Sequence, residues 1–135
     1  MISDPTEVGA IKWFAADDPS FAALPSGTAI SSWPCGGTDG AAATEANPSF
    51  QPQYKTNQLN GQPGIDFLGN RRLVSTFAGT ISQPYEIFII GVFSGSFTAD
   101  RVIVDGIAAG NRCLIVLATA EHPANLRPAG PVGSS

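Results

Sequence analysis

The stretch LNGQPGIDFLGNRRLVS, residues 59–75, holds a turn, a proline, a short strand and a second turn. Asn60-Gly61 is a pair that favours the two-residue turns of β-hairpins. Pro63 suits the first position of a strand, because a proline there removes no hydrogen bond from the centre of a ladder. Gly69-Asn70 supplies the next turn. The stretch therefore predicts a hairpin that leads into an antiparallel sheet.

One strand in this stretch alternates between apolar and polar residues. Ile65 and Phe67 are expected to face a core, and Asp66 the solvent. The rest of the chain repeats short apolar runs between turns, with 15 Gly and 11 Pro in 135 residues. Short strands at this spacing predict an antiparallel sandwich or barrel. The predicted strands are Ala10–Ala15, Thr28–Trp33, Ser49–Tyr54, Gly64–Leu68, Leu73–Thr76, Tyr85–Phe93, Arg101–Asp105 and Arg112–Ala118.

A helix signal occurs in DPSFAAL, residues 18–24, where Asp18 stands at the N-cap and Pro19 follows at the first helical position. It predicts one or two turns. No repeat or internal boundary divides the chain, so we expect one β-sandwich domain over residues 1–120. Residues 121–135 have neither strand nor helix signals and are predicted to form an extended Pro/Gly-rich tail.

The charge of the chain excludes one class of partner. Charged residues make up 13% of the sequence, and the seven Lys and Arg give a net charge of −4. Binding to nucleic acid needs clustered cations that displace counterions from phosphates, so we expect no nucleic-acid partner. The N-terminus has no signal-peptide pattern and no apolar run is long enough for a bilayer. We therefore expect a protein made in a cytoplasm, with no membrane partner.

Two predicted strands are apolar on both faces. They are YEIFIIGVF, residues 85–93, and CLIVLA, residues 113–118. A strand with one face in water should alternate, so both must be covered on two sides. The cover is either the protein's own N-terminal loops or another chain. The cysteines, Cys35 and Cys113, are expected as reduced thiols, since no export signal points to an oxidising compartment.

Several segments together resemble a known superfamily. IKWFAADDPSF (residues 11–21), the 59–75 stretch and QPYEIFIIGVFSG (residues 83–95) are similar in order and spacing to concanavalin A-like lectin/glucanase domains. The similarity is greatest to the LamG-like jelly-roll modules of bacteriophage virion proteins and bacterial surface proteins. The resemblance implies an all-β antiparallel sandwich of jelly-roll type, with Trp13 and Trp33 in its core.

The sequence also departs from that family pattern. WPCGGTDG lacks the usual acid after Trp33, and FLGN lacks the usual acid before Gly69, so the family's calcium and sugar ligands do not carry over. Such modules commonly continue with further strands. The chain is therefore a reduced variant, a part of a longer polypeptide, or a sandwich completed by a neighbouring chain.

No catalytic constellation is present in the sequence, so we expect no enzymatic activity, no catalytic residue and no cofactor. A glycosidase needs two carboxylates about 5–10 Å apart, and no two acids stand at i and i+2 on a predicted strand. The sole histidine, His122, lies in the predicted tail, and no Gly-x-Ser-x-Gly elbow accompanies it. One histidine and two distant cysteines do not make a zinc site.

Some residues are candidates for binding. Asp17, Asp18 and Asp39 are weak candidates for a calcium site, because hard cations prefer several oxygen ligands. The alternative for the Asp17-Asp18 pair is a capped turn or helix start. Tyr54 and Tyr85 are candidates for a platform on which a sugar stacks, since their hydroxyl ends tolerate a surface.

Other residues are candidates for contact with a protein partner. Arg71-Arg72 would hold an acidic surface, or would act as edge charges that prevent sheet-to-sheet pairing. The tail has three prolines that would keep it extended for docking along a neighbour, with little entropy lost on ordering. These are Pro123, Pro128 and Pro131.

The sequence and the resemblance together give two functional expectations. The first is a structural subunit of a phage virion, such as a capsid decoration or tail-associated protein, that forms homo-oligomers or binds capsid or tail subunits. The second is a lectin-like module that binds a cell-surface glycan. The first follows from the apolar strands that need a cover, the second from the lectin resemblance.

Overall fold

A computed structural model describes residues 5–79, 81, 84–92, 101–105 and 115–117 of the chain. The chain divides into two compact units, Met1–Val92 and Phe93–Ser135. All strand pairs in the described residues are antiparallel, and the helices there are single 3₁₀ turns. The predicted antiparallel, sheet-rich fold is thus confirmed at this level. The strands are β1 (Ser32–Trp33), β2 (Ala43–Thr44), β3 (Gln53–Leu59), β4 (Gln62–Asp66), β5 (Arg101–Val104) and β6 (Ile115–Leu117), and the 3₁₀ turns are Pro5–Val8, Pro19–Phe21 and Pro48–Phe50.

The predicted hairpin is present as β3 and β4. Asn60 and Gly61 have φ angles of 51° and 81°. Two successive positive values are the signature of a primed turn, whose twist matches that of the flanking strands. The register places Tyr54 opposite Ile65, and β4 begins one residue before Pro63. The local turn chemistry of this stretch therefore decides the pairing.

The segment over residues 27–33 connects two ladders. At its start, the Gly27 amide donates to the Tyr54 carbonyl at 2.7 Å, and the Ile30 amide donates to the Pro52 carbonyl at 2.9 Å. At its end, β1 pairs with β2. Thr44 in β2 is then bridged to Val74 by two hydrogen bonds of 2.8 and 2.9 Å. One chain segment thus ties the hairpin to β2 and to the residues that follow β4.

The core of the first unit lies beneath the start of the hairpin. Phe21, Ile30 and Tyr54 are its buried members. Asp18 caps the 3₁₀ turn Pro19–Phe21 by accepting a hydrogen bond from the Ser20 amide at 2.9 Å, which directs Phe21 inward. The predicted helix start is confirmed, as one 3₁₀ turn. Partly buried side chains packed around this core are Leu24, Trp33, Ile65 and Leu73.

Several sequence predictions in the first unit need correction. Residues 10–15 form no strand; the Trp13 carbonyl instead accepts a hydrogen bond from the Gly36 amide at 2.8 Å, in an irregular pairing of two loops. The predicted strand Ser49–Tyr54 begins as a 3₁₀ turn, because Asn47 caps it by accepting a hydrogen bond from the Ser49 amide.

The third correction concerns the ends of the predicted strands. Ile65 packs against the core as expected, but Phe67 is largely exposed and touches only the edge of the core, with its ring 6.3 Å from that of Trp33. The predicted strand Leu73–Thr76 is reduced to a bridge at Val74. β4 ends at Asp66, so the alternating pattern does not extend to residue 67.

The second unit holds β5 and β6, which pair with Val102 opposite Val116 and Arg101 opposite Leu117. The strands predicted over Arg101–Asp105 and Arg112–Ala118 are confirmed within these bounds. Cys113, His122 and the predicted tail with Pro123, Pro128 and Pro131 lie outside the described residues. Among the helices that the structure describes, none has the length and apolarity to cross a bilayer.

Candidate functional site

The first candidate residue, Asp39, is neutralised from within the chain. The Lys12 ammonium lies 2.8 Å from Asp39 Oδ1, and both side chains are largely buried. The same ammonium donates to the carbonyl of Ala41 at 3.0 Å and to that of Thr76 at 2.7 Å. It also lies over the Phe77 ring, 5.1 Å from the centroid. Lys12 thus takes the position that a bound cation would need.

Hydrogen bonds to the carboxylate of Asp39 complete this cluster. Oδ1 accepts from the Ala41 amide at 3.2 Å, and Oδ2 accepts from the Ala78 amide at 2.9 Å. The pKa of Asp39 lies below its ordinary value of 3.8. The hydrogen bond from Lys12 is the largest cause of this shift, and the hydrogen bond from the Ala78 amide is the next. We call Lys12, Asp39, Ala41, Thr76 and Ala78 the Lys12 cluster. It fastens three loops together and pairs Asp39 with a cation from within the chain.

Asp17 and Asp18 are not brought together with Asp39 in a metal site. No group of three or more potential metal ligands occurs in the described part of the chain. Asp18 caps the turn at Pro19, which is the alternative that the sequence left open. Both acids instead line a cleft with Trp13, which we call the Trp13 cleft. Its volume is about 370 Å³, and its walls are Pro5, Trp13, Ala15, Asp17, Asp18, Pro19, Pro34 and Gly36.

The two tryptophans have different environments. Trp33 packs against the core, as expected, and its Nε1 donates to the Ala15 carbonyl at 2.8 Å. Trp13 is half-buried and forms a wall of the Trp13 cleft, so the expectation that it fills the core is wrong. Sequence reasoning did not separate the two tryptophans, because it placed both of them by the family pattern.

The two candidate tyrosines also differ. Tyr54 is 6% exposed and its ring packs beside that of Phe21 with centroids 5.7 Å apart. A buried ring offers no face to a sugar, so Tyr54 is a core residue and the prediction of a stacking role for it is wrong. Tyr85 is 42% exposed. Only Tyr85 of the pair remains a candidate.

Arg71 and Arg72 both have acidic neighbours within the chain. Arg72 Nε lies 2.9 Å from Glu45 Oε2, and its guanidinium stacks 4.4 Å from the centroid of the Phe50 ring. Arg71 Nη1 lies 3.6 Å from Asp66 Oδ2, which is an ion pair too long for a hydrogen bond. These contacts hold the residues after β4 in place. Contact with a partner stays a prediction for both arginines.

The segment Tyr85–Val92 brings together six exposed, large hydrophobic residues. Phe88 and Ile90 are 84% and 87% exposed, and Ile87 and Ile89 are 42% and 44% exposed. The alternation between high and intermediate values is typical of an extended chain whose side chains point to opposite sides. Residues 85–92 form no strand, so the strand predicted over Tyr85–Phe93 is wrong for these residues, and no described strand pairs with them. We call it the apolar segment.

Cys35 is half-buried and forms no disulfide.

Searches for similar protein families, curated proteins and solved structures find no match to this chain. The resemblance to concanavalin A-like domains and the function it implies therefore stay predictions.

Proposed function

We propose that this protein is a non-enzymatic structural subunit that associates with further copies of itself through the apolar segment. In this proposal the chain is an incomplete jelly-roll sandwich of the concanavalin A-like type, and a neighbouring copy covers its open side. The observation that carries the proposal is the exposure of Phe88 and Ile90 in a segment that is apolar on both faces.

The physical argument starts from the cost of leaving such a segment in water. Burying one Phe or Ile side chain contributes about 1.5–3 kcal/mol, and several of them lie side by side here. Monomeric proteins rarely expose contiguous apolar patches of this kind, and such patches usually mark interfaces. Another chain can also add a strand along an exposed, extended segment of this kind.

The arrangement of charge favours an antiparallel pairing of two copies. Glu86 is the one charged residue between Tyr85 and Val92. An antiparallel pair places the two glutamates at opposite ends of the ladder, whereas a parallel pair in register would place them side by side, where like charges are destabilising. A virion subunit is the cellular role that the resemblance implies for such an oligomer, assembled from chains made in a host cytoplasm.

Light scattering across a concentration series tests the proposal directly. We expect an oligomer for the natural chain and a monomer for the double variant Phe88→Lys/Ile90→Lys, since two ammonium groups would have to be desolvated in the interface. Leu68→Lys is the matched control, because Leu68 is an apolar residue that is also 71% exposed but lies outside the apolar segment. A natural chain that stays monomeric at every concentration, or a double variant that still assembles, would refute the proposal.

A glycan-binding module is the second candidate. The partial exposure of Tyr85 is the observation in its favour, because an aromatic residue at the surface can stack on a sugar. The burial of Tyr54 removes the second half of the platform that the sequence suggested. Tyr85 also belongs to the apolar segment, so association of two copies would compete with a glycan for this ring.

A further inference from the structure

The Trp13 cleft is a concave site whose lining includes one aromatic and two acidic residues. Its volume of about 370 Å³ is within the range of roughly 300–1,000 Å³ that small-molecule sites occupy. Trp13, Asp17 and Asp18 are among the residues that line the cleft. The remaining walls are prolines, alanine and glycine, which carry no side-chain charge.

The two carboxylates of the cleft differ from others in the described part of the chain. Asp39, Glu45 and Asp66 each have a lysine or arginine within ion-pair distance. Asp17 and Asp18 have no such cation among the described residues, and none of the residues lining the cleft is basic. Two adjacent carboxylates without a counter-charge give the cleft a negative potential.

We propose that the Trp13 cleft binds an organic cation, namely an alkylammonium or guanidinium group. The face of a tryptophan ring is the side chain that attracts such cations most strongly, through its quadrupole. The carboxylates of Asp17 and Asp18 supply the opposite charge, and the volume of the cleft is large enough for an alkyl stem. This inference goes beyond the proposed function and is independent of it.

The backbone around the cleft holds Trp13 in place before any ligand arrives. The Gly36 amide donates to the Trp13 carbonyl at 2.8 Å, and a Cβ on Gly36 would lie 3.1 Å from Trp13 Cδ1. The hydrogen bond from Trp33 to the Ala15 carbonyl holds Ala15, which also lines the cleft, in place. A site that is organised in advance loses less entropy on binding.

Nuclear magnetic resonance can detect the ligand at the indole itself. The full-length protein, labelled with ¹⁵N, is titrated with Nα-acetyl-lysine methylamide and Nα-acetyl-arginine methylamide, and the indole N–H signal of Trp13 is assigned with Trp13→Phe. We expect a saturable shift with a dissociation constant of about 1 mM or lower. Tetramethylammonium, tested in parallel, shows whether the charged head group suffices or the side-chain stem is also needed.

Charge variants test the role of the carboxylates. Asp17→Asn/Asp18→Asn removes both charges but keeps the N-cap, because asparagine caps as well as aspartate. We expect it to weaken binding about tenfold, while Asp66→Asn, a neutralisation outside the cleft, leaves the affinity unchanged within about twofold. Nα-acetyl-norleucine methylamide and the neutral disaccharide cellobiose are the uncharged probes. An absence of shift with both cations at about 10 mM, or equal shifts with an uncharged probe, would overturn the inference.

Discussion

Lys12 shows how much one residue can organise in a chain of low charge. Its ammonium contacts Asp39, the carbonyls of Ala41 and Thr76, and the ring of Phe77. The partners that accept its hydrogen bonds lie between 27 and 64 positions away in sequence. A carboxylate that carries this many donors is held in its charged form. The cluster therefore couples the stability of the first unit to the ionisation of a single side chain.

This coupling predicts a dependence of stability on pH. Because the folded-state pKa of Asp39 is lower than its ordinary value of 3.8, the stabilisation is present above that value and is lost as the pH falls through the folded-state pKa. We expect the melting temperature of the natural chain to fall as the pH is lowered from about 5 to about 2, and that of Asp39→Asn to fall less. Thermal melts followed by circular dichroism measure both.

The lysine supplies the matching control. Lys12→Met should destabilise the fold at neutral pH, because it leaves a largely buried carboxylate without its cation, and acid should then relieve part of the loss by protonating Asp39. Identical pH profiles for the natural chain and both variants would contradict the role assigned to the cluster. Two residues so distant in sequence leave no local pattern. The sequence therefore suggested Asp39 as a calcium ligand but could not predict its ion pair with Lys12.

At the scale of elements, the parts that could be predicted are those decided by neighbouring residues. The hairpin turn at Asn60-Gly61 follows from residues that tolerate positive φ, and the cap at Asp18 follows from its place before Pro19. By contrast, β2 at Ala43–Thr44 lies in the run AAATEAN, which has no strand pattern. It forms because β1 and Val74 lie on either side of it. Such strands depend on tertiary pairing and cannot be read locally.

The irregular pairing of residues 10–13 with residues 36–39 yields a prediction of its own. A Cβ on Gly37 would overlap the carbonyl of Ile11 and lie 2.9 Å from Lys12 Cα, so the two backbones approach as closely as only glycine allows. We expect Gly37→Ala to destabilise the protein by about 1–3 kcal/mol, measured by urea denaturation. Gly79→Ala is the control, since no atom lies within 4 Å of its added methyl group. Equal midpoints for both variants would argue against this close approach.

At the scale of the whole molecule, the described residues show a small core and a large exposed apolar surface in the same chain. The buried hydrophobic residues of the core are Phe21, Ile30, Ala43 and Tyr54. The apolar segment, which is the longest apolar run of the first unit, lies outside this core. The sequence predicted that this run needs a cover on both faces, and left open whether loops or another chain provide it. The exposure of Phe88 and Ile90 shows that the described N-terminal loops do not cover these two side chains, and cover by another copy is what the proposed association would supply.

If copies of the chain cover one another, folding and assembly are linked by mass action. The melting temperature of the natural protein should then rise with protein concentration, because association stabilises only the folded chain. The variant Phe88→Lys/Ile90→Lys should melt at one temperature regardless of concentration, while Leu68→Lys keeps the dependence of the natural chain. Differential scanning calorimetry over about a hundredfold range of concentration measures this slope. Suppose instead that light scattering shows an oligomer but the melting temperature of the natural protein does not change with concentration. The assembly contacts would then contribute nothing to the stability of the fold, and the sandwich would be complete within one chain.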